Sequence, residues 1–319
     1  MQSTELERAI RGFRRYYEEN VSQANYELRV SDLLEADRKE WERRDAELHP
    51  SSFPFCGLRY AYDYNEREDD PIIVQEFGRD YFLNAGHVFH AALQKWLGRG
   101  GQMIGNWHCL ECKAKHTFKV KPEKCRKCGG QHLEYHELGG KWGKNVSWHT
   151  DGLWKKGSKI WLVDYKSTST YAIEQHRKTK QVFPYVSNRF QIETYVPLVE
   201  DTFDVKVAGW LLVYAARDNP NHMFKVEVVG GTVDDERREQ LRARLDTADT
   251  DFGIARKVKE QPVKVFKRLE RTKLCEDKDF YDHFVKDRYN PCPLEKVCFN
   301  QSKLHAFLKK SIVDKTDAS

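Results

Sequence analysis

The chain of 319 residues contains no apolar run near the ~18 residues that a membrane span requires, and its mean hydropathy is −0.77. Its opening stretch, MQSTELERAIRGFRRYYEEN, has no apolar h-region. That argues against a secretory signal and for a cytoplasmic setting. There is no internal repeat and no long low-complexity tract. A complete Walker A motif is also missing. Gly139–Lys144 looks superficially similar, but the spacing to Gly143-Lys144 is short and Asn145 stands where Ser or Thr is needed. A helicase motor in this chain is therefore not expected. Nor does one sign of charge dominate, since 54 Lys+Arg face 49 Asp+Glu for a net charge of +5. Charge does not hold such a chain unfolded, and a hydrophobic share of 39% can build a core. The excess of +5 permits nucleic-acid binding without demonstrating it.

What is present begins with eight cysteines. Without a signal peptide, metal ligation is a better expectation than disulfides. Cys109-Leu-Glu-Cys112 and Cys125-Arg-Lys-Cys128 form two knuckles, each offering two thiolates to one tetrahedral ion. A structural zinc is expected there. A redox C-x-x-C pair is disfavoured because two pairs occur together in a Lys-rich loop. The other four, Cys56, Cys275, Cys292 and Cys298, read by themselves as buried thiols or a second zinc site.

Along the chain, residues 1–50 predict two charged helices, with Leu6, Ile10, Phe13 and Tyr17 at helical spacing. Residues 80–98 predict a helix ended by Gly98, Gly100 and Gly101. Strands are expected at 146–154, 159–167, 205–215 and 223–229, and helices at 185–200, up to Pro197, and 233–258. A basic run over Phe252–Lys273 reads equally as a solvated helix or as a phosphate track.

The segment Ser147–Lys166 carries the chemistry. With Gly157-Ser158 as a two-residue turn, Lys156 pairs with Lys159, Trp154 with Trp161, and Asp151 with Asp164. Directly opposed carboxylates lie about 4.5–5.5 Å apart and repel without a cation. Alternation puts Lys166 on the face of Asp164, beside the apolar Leu153, Ile160 and Leu162. In this register His149 falls opposite Lys166. The simplest explanation is a divalent cation, magnesium or manganese, held by Asp151 and Asp164, with Lys166 aimed at the reacting centre. The bland alternative is an exposed hairpin with ordinary surface charges.

In order, the chain reads G-x-x-x-H (Gly86–His90), D-G (Asp151-Gly152), D-x-K (Asp164-Tyr165-Lys166) and Q-x-x-x-Y (Gln191–Tyr195). Over roughly residues 53–300 this series resembles the RecB-like branch of the PD-(D/E)xK nuclease superfamily. The resemblance implies an α/β, restriction-endonuclease-like fold, a mixed central sheet flanked by helices. It implies metal-dependent hydrolysis of DNA phosphodiesters, by an exonuclease acting on single strands or free ends. His90 would be a helix-borne metal ligand, Asp151 and Asp164 carboxylate ligands, and Tyr165 a ligand through its backbone carbonyl. Lys166 would be the catalytic lysine, with Gln191 and Tyr195 supporting the site and contacting the DNA backbone. An imidazole ligand tilts the preference toward manganese. His87, three residues earlier, competes with His90.

Cys56, Cys275, Cys292 and Cys298 further resemble the ligands of iron–sulfur members of that branch. These are the CRISPR-adaptation exonucleases, the AddB nuclease domain and phage-encoded relatives. A 4Fe–4S cluster would then pin the N-terminal to the C-terminal region. Two features depart from the pattern. Tyr289 stands three before Cys292, so Cys275 must loop back, and the zinc-knuckle insertion lies outside the family's minimum. That insertion either clips the fold together or grips DNA ends. The implied division is 1–52 helical, 53–104 first part of the nuclease domain, 105–135 zinc insertion, 136–258 nuclease core and 259–319 basic with cysteines. The implied partners are DNA and recombination, repair or CRISPR-adaptation proteins in a bacterial or phage-infected cell. Two alternatives stay open, namely a non-catalytic DNA-binding adaptor, and a structure-selective or RNA-directed nuclease.

Overall fold

The computed structural model describes residues 2–22, 50, 90, 92–98, 100–218 and 226–260. Cys56, Cys275, Cys292 and Cys298, the competing His87, the second expected N-terminal helix and most of the basic run lie outside the described residues. The chain divides into two compact units. One comprises Met1–Ala46, Gln75–Gly140 and Trp148–Leu241, and the other Glu47–Val74, Lys141–Ser147 and Arg242–Ser319. No helix among the described residues is long and apolar enough to cross a membrane.

The described helices are α1 (Gln2–Ser22), α2 (His90 and 92–98), α3 (Thr170–Thr179), α4 (Val186–Phe203) and α5 (Asp235–Glu260). The strands are β1 (Met103–Cys109), β2 (Lys115–Val120), β3 (Leu133–His136), β4 (Leu138–Trp142), β5 (Val146–Thr150), β6 (Gly152–Lys156), β7 (Lys159–Thr168), β8 (Val207–Ala216) and β9 (Val226–Gly231). The larger sheet runs β2-β1-β6-β7-β8-β9, with β3 also paired to β1, while β4 and β5 form a separate ribbon. β7 and β8 are parallel and joined through α3 and α4, whereas the β6–β7 and β8–β9 pairs are antiparallel. The result is a mixed sheet flanked by helices, compatible with the expected restriction-endonuclease-like architecture.

The periodicity of α1 explains its packing. Ala9, Phe13, Tyr16 and Tyr17 are buried, with Leu6 and Ile10 packed at the margin. Phe13 meets Trp154 edge-on at 5.2 Å between ring centres. Ala92, Leu93, Trp96 and Leu97 of α2 join the same core against Trp161, Val163 and Tyr165. Strand alternation then turns Leu162, Asp164 and Lys166 to the opposite face, where α4 lies. One side of β7 therefore joins this core, while the other combines the buried Leu162 with charged Asp164 and Lys166.

Three expectations change. The strand predicted over 146–154 is broken at Asp151 into β5 and β6. The hairpin register is as predicted over five pairs, from Lys156↔Lys159 to Gly152↔Val163, but it ends one residue short of Asp151 and Asp164. His149 accordingly lies on β5, exposed and paired into the other ribbon, and does not oppose Lys166. Finally, α4 runs through Pro197 to Phe203. Proline removes one backbone rung, but burial of Ile192, Tyr195, Val196, Leu198 and Val199 holds the helix together. In the smaller unit, Trp142 Nε1 and the Asn145 backbone N–H donate to Asp246 and Asp249 at 2.9 and 2.6 Å, fastening a tight turn to α5.

Candidate metal centre

The centre forms where β6 and β7 part. Asp151 sits in the bend before β6, and its Oδ2 accepts the Tyr165 backbone N–H at 2.6 Å. The ladder thus ends by exchanging a rung for a carboxylate, which fixes that oxygen against β7. His90, at the start of α2, places Nε2 2.6 Å from the same oxygen. The imidazole is held edge-on by the Tyr165 ring at 5.7 Å.

A third group was not flagged by the sequence. Glu137 occupies the single residue between β3 and β4, and its Oε1 lies 3.9 Å from His90 Nδ1. Gln94, one turn along α2, donates to Glu137 and lies 3.2 Å from His90 Nδ1, tying the two together. His90, Glu137 and Asp151 each bring a donor atom within 4.8 Å of the others, so the trio can hold a metal ion. The pairing of β1 with β3, which ends at His136, helps carry Glu137 to this place, and sequence spacing holds no record of it.

Asp164 is 2% exposed, and its Oδ2 is buried without a hydrogen bond. The Lys166 ammonium lies 2.9 Å from that oxygen as an ion pair, outside hydrogen-bonding directions. Lys166 Nζ instead donates to Gln191 Oε1 at 2.9 Å, and Gln191 Nε2 donates to the Tyr195 hydroxyl at 3.2 Å. The four-residue spacing of Gln191 and Tyr195 does place both on one face of α4.

The electrostatics follow from burial and crowding. Burial pushes the Asp164 carboxyl up, Lys166 pulls it back, and the Asp151 carboxylate raises it again, leaving it at about 6. Asp151 is held below the usual carboxylate range, because His90 overcomes the burial that acts against it. For His90 burial favours the neutral ring, yet Asp151 and then Glu137 and Asp164 hold it protonated up to about 9. Its side chain keeps 30% exposure, so water tempers the desolvation. The His90 imidazole and the carboxylates of Asp151, Glu137 and Asp164 form a hard, nitrogen-and-oxygen donor set suited to a divalent cation.

A second cluster lies on β1 and the loops beyond it. Cys109 and Cys128 bring their sulfurs to 3.6 Å, as do Cys112 and Cys125. All four thiols are free of disulfides. Sulfurs around a tetrahedral ion with bonds of about 2.3 Å sit about 3.8 Å apart, so the set fits one ion. The backbone N–H groups of Lys127 and Gly130 donate to Cys125 and Cys128 sulfur at 3.4 Å each, favouring thiolates. His116 Nε2 is 3.4 Å from Cys125 sulfur, a neighbour the knuckle spacing did not reveal.

No family model matches the chain, and no curated protein matches it. Among solved structures, it is similar to the crystal structure of SSO0001, with TM-score 0.36 and 10% identity over 70% of this chain and 88% of that one. It is also similar to an alkaline exonuclease, LHK-Exo, from Laribacter hongkongensis, with TM-score 0.32 and 11% identity over 71% of this chain and 98% of that one. At those scores the likeness is partial, and the chemistry of the site rests on its own side chains.

Proposed function

We propose that this chain is a metal-dependent nuclease that hydrolyses DNA phosphodiester bonds, acting as an exonuclease on single strands or free ends. The observation that carries the reading is one continuous set of contacts, Tyr195–Gln191–Lys166–Asp164, ending beside the His90–Asp151–Glu137 cluster. Placing a lysine and three carboxyl groups together at the end of a largely apolar strand carries a desolvation cost, and a reacting centre that uses their charge supplies a reason for it.

His90, Asp151, Asp164 and Glu137, with the Tyr165 carbonyl, would hold Mg²⁺ or Mn²⁺. When bound, such an ion makes water nucleophilic near neutral pH and polarises a phosphoryl oxygen. Lys166 places its positive charge beside Asp164, where charge builds on phosphorus as water adds and the 3′-oxygen leaves. Gln191 orients the Lys166 ammonium, and Tyr195 orients Gln191 in turn. Tyr195 stays a neutral phenol, because burial and then the nearby Asp164 oppose its ionisation.

Zinc suits the four knuckle thiolates. The resemblance assigns Cys56, Cys275, Cys292 and Cys298 to a 4Fe–4S cluster. A brown anaerobic preparation supports that assignment, and a colourless one with two zincs per chain defeats it. The nuclease reading is tested with labelled single-stranded DNA and manganese, with and without EDTA. Asp164→Ala and Lys166→Ala should each abolish cleavage while leaving DNA binding largely intact. Binding without cleavage by the parent chain would favour the adaptor alternative.

A further inference from the structure

Besides the basic run over Phe252–Lys273, positive charge gathers in one short window of the described residues. Residues 113–127 hold seven cations (Lys113, Lys115, Lys119, Lys121, Lys124, Arg126 and Lys127) and one carboxylate, Glu123. The whole chain is only +5, so the remaining residues carry 47 cations against 48 acids. This window is the cysteine-tied ribbon. Lys113, Lys115, Lys124, Arg126 and Lys127 are all exposed. The close approach of Cys109 to Cys128 sets the turn bearing Lys113 against the turn bearing Lys127. Glu111, the nearest preceding acid, lies 3.1 Å from His132 Nδ1. A zinc tetrathiolate would contribute about −2, which the surrounding cations outnumber. Leu110, half exposed on the first knuckle, adds an apolar contact beside them.

A fold-clipping role needs the thiolates and not these cations, whose mutual repulsion works against a compact knuckle. We infer that the cysteine-tied ribbon is a docking surface for the phosphate backbone of DNA, separate from the reacting centre. It deepens the nuclease reading by naming where the strand is held. The ribbon is also connected to that centre. Leu133 pairs with Cys109 at the knuckle end of β3. Four residues further on, about 13 Å at strand rise, stands Glu137. A strand lying on the ribbon would thus pass phosphates toward the candidate metal centre at a spacing of a few nucleotides.

The test uses the Asp164→Ala chain, without added divalent metal, and a fluorescein-labelled single-stranded DNA read by anisotropy over a salt series. Combining Lys113→Gln, Lys124→Gln, Arg126→Gln and Lys127→Gln should weaken binding roughly tenfold or more and flatten the salt slope by about 3, at ~0.7 per lost phosphate contact. Combining Lys155→Gln, Lys178→Gln, Lys180→Gln and Lys206→Gln removes the same charge from other exposed positions and should do much less. Unchanged affinity and slope in the first set, or equal losses in both, would overturn the inference. Should the first set fail to fold, acetylation footprinting of the parent decides. DNA should protect Lys113, Lys115, Lys124 and Lys127, and equal labelling with and without DNA would overturn it. A parent that binds in this way but never cleaves would remove the nuclease reading and leave the docking surface standing.

Discussion

Lys166 donates to Gln191 Oε1 across 2.9 Å, which couples the charged face of β7 to α4. The ammonium also faces Asp164 at 2.9 Å. Gln191 therefore decides which way a flexible four-carbon side chain points its charge. Replacing it with alanine leaves Lys166 present but untethered. Gln191→Ala should lower kcat about tenfold to a hundredfold with a smaller effect on KM, because misplacement of one group costs that much. Single-turnover rates at saturating DNA measure it, and an unaltered rate would show that Lys166 is placed by Asp164 alone.

Glu137 offers a sharper test of the geometry, because only the three-dimensional arrangement points to it. Glu137→Gln keeps the size and the contact with Gln94 but removes a charged oxygen donor. Affinity for Mn²⁺ should fall about tenfold to a hundredfold, the cost typical of weakening a metal site by one supporting group. Electron paramagnetic resonance of free Mn²⁺ reads this directly, without any cleavage assay. Equal affinity in the two chains would remove Glu137 from the centre.

The contrast between Glu137 and Lys166 shows what the sequence could convey. That Lys166 shares a face with Asp164, and Tyr195 with Gln191, was legible because strand and helix periods relate residues two and four apart, and those periods survive folding; that the two pairs meet was implied by the resemblance alone. The β6–β7 register was legible because Gly157 permits the left-handed turn, with φ of 62°, and the pairing then counts itself back. The break at Asp151 was not, since it depends on the Tyr165 N–H preferring a carboxylate to a ladder carbonyl. Pro197 misled the reading of α4 for a related reason. Helix propensity is local, whereas the burial that outweighs it comes from strands elsewhere in the chain.

Metal binding should depend on pH in a direction set by His90. In the metal-free protein its imidazole holds a proton up to about 9. Only the neutral ring can ligate, so each ion bound below that pH expels one proton. Apparent Mn²⁺ affinity should therefore rise by about tenfold per pH unit from pH ~7 to ~9 and level off above. Asp164, at about 6, adds a second proton at more acidic pH and steepens the dependence there. His90→Ala should bind more weakly and lose the rise between 7 and 9. A flat profile in the parent would show that His90 is not a ligand.

The two cysteine sets should be separable by their metals. Cys109, Cys112, Cys125 and Cys128 are drawn together within one ribbon, so on the proposed assignment losing one of these thiolates should strip zinc and spare the iron. Cys112→Ser should reduce zinc from one per chain toward none while iron content stays unchanged. Cys292→Ser should do the reverse, bleaching visible absorption and leaving zinc in place. Elemental analysis of anaerobically purified protein gives both numbers in one measurement. The ribbon's β1 is hydrogen-bonded to β6 at Ile104↔Leu153, so zinc loss should also lower the melting temperature of the sheet and not merely loosen the loops. Simultaneous loss of both metals in either variant would mean that the eight cysteines do not form two independent sites.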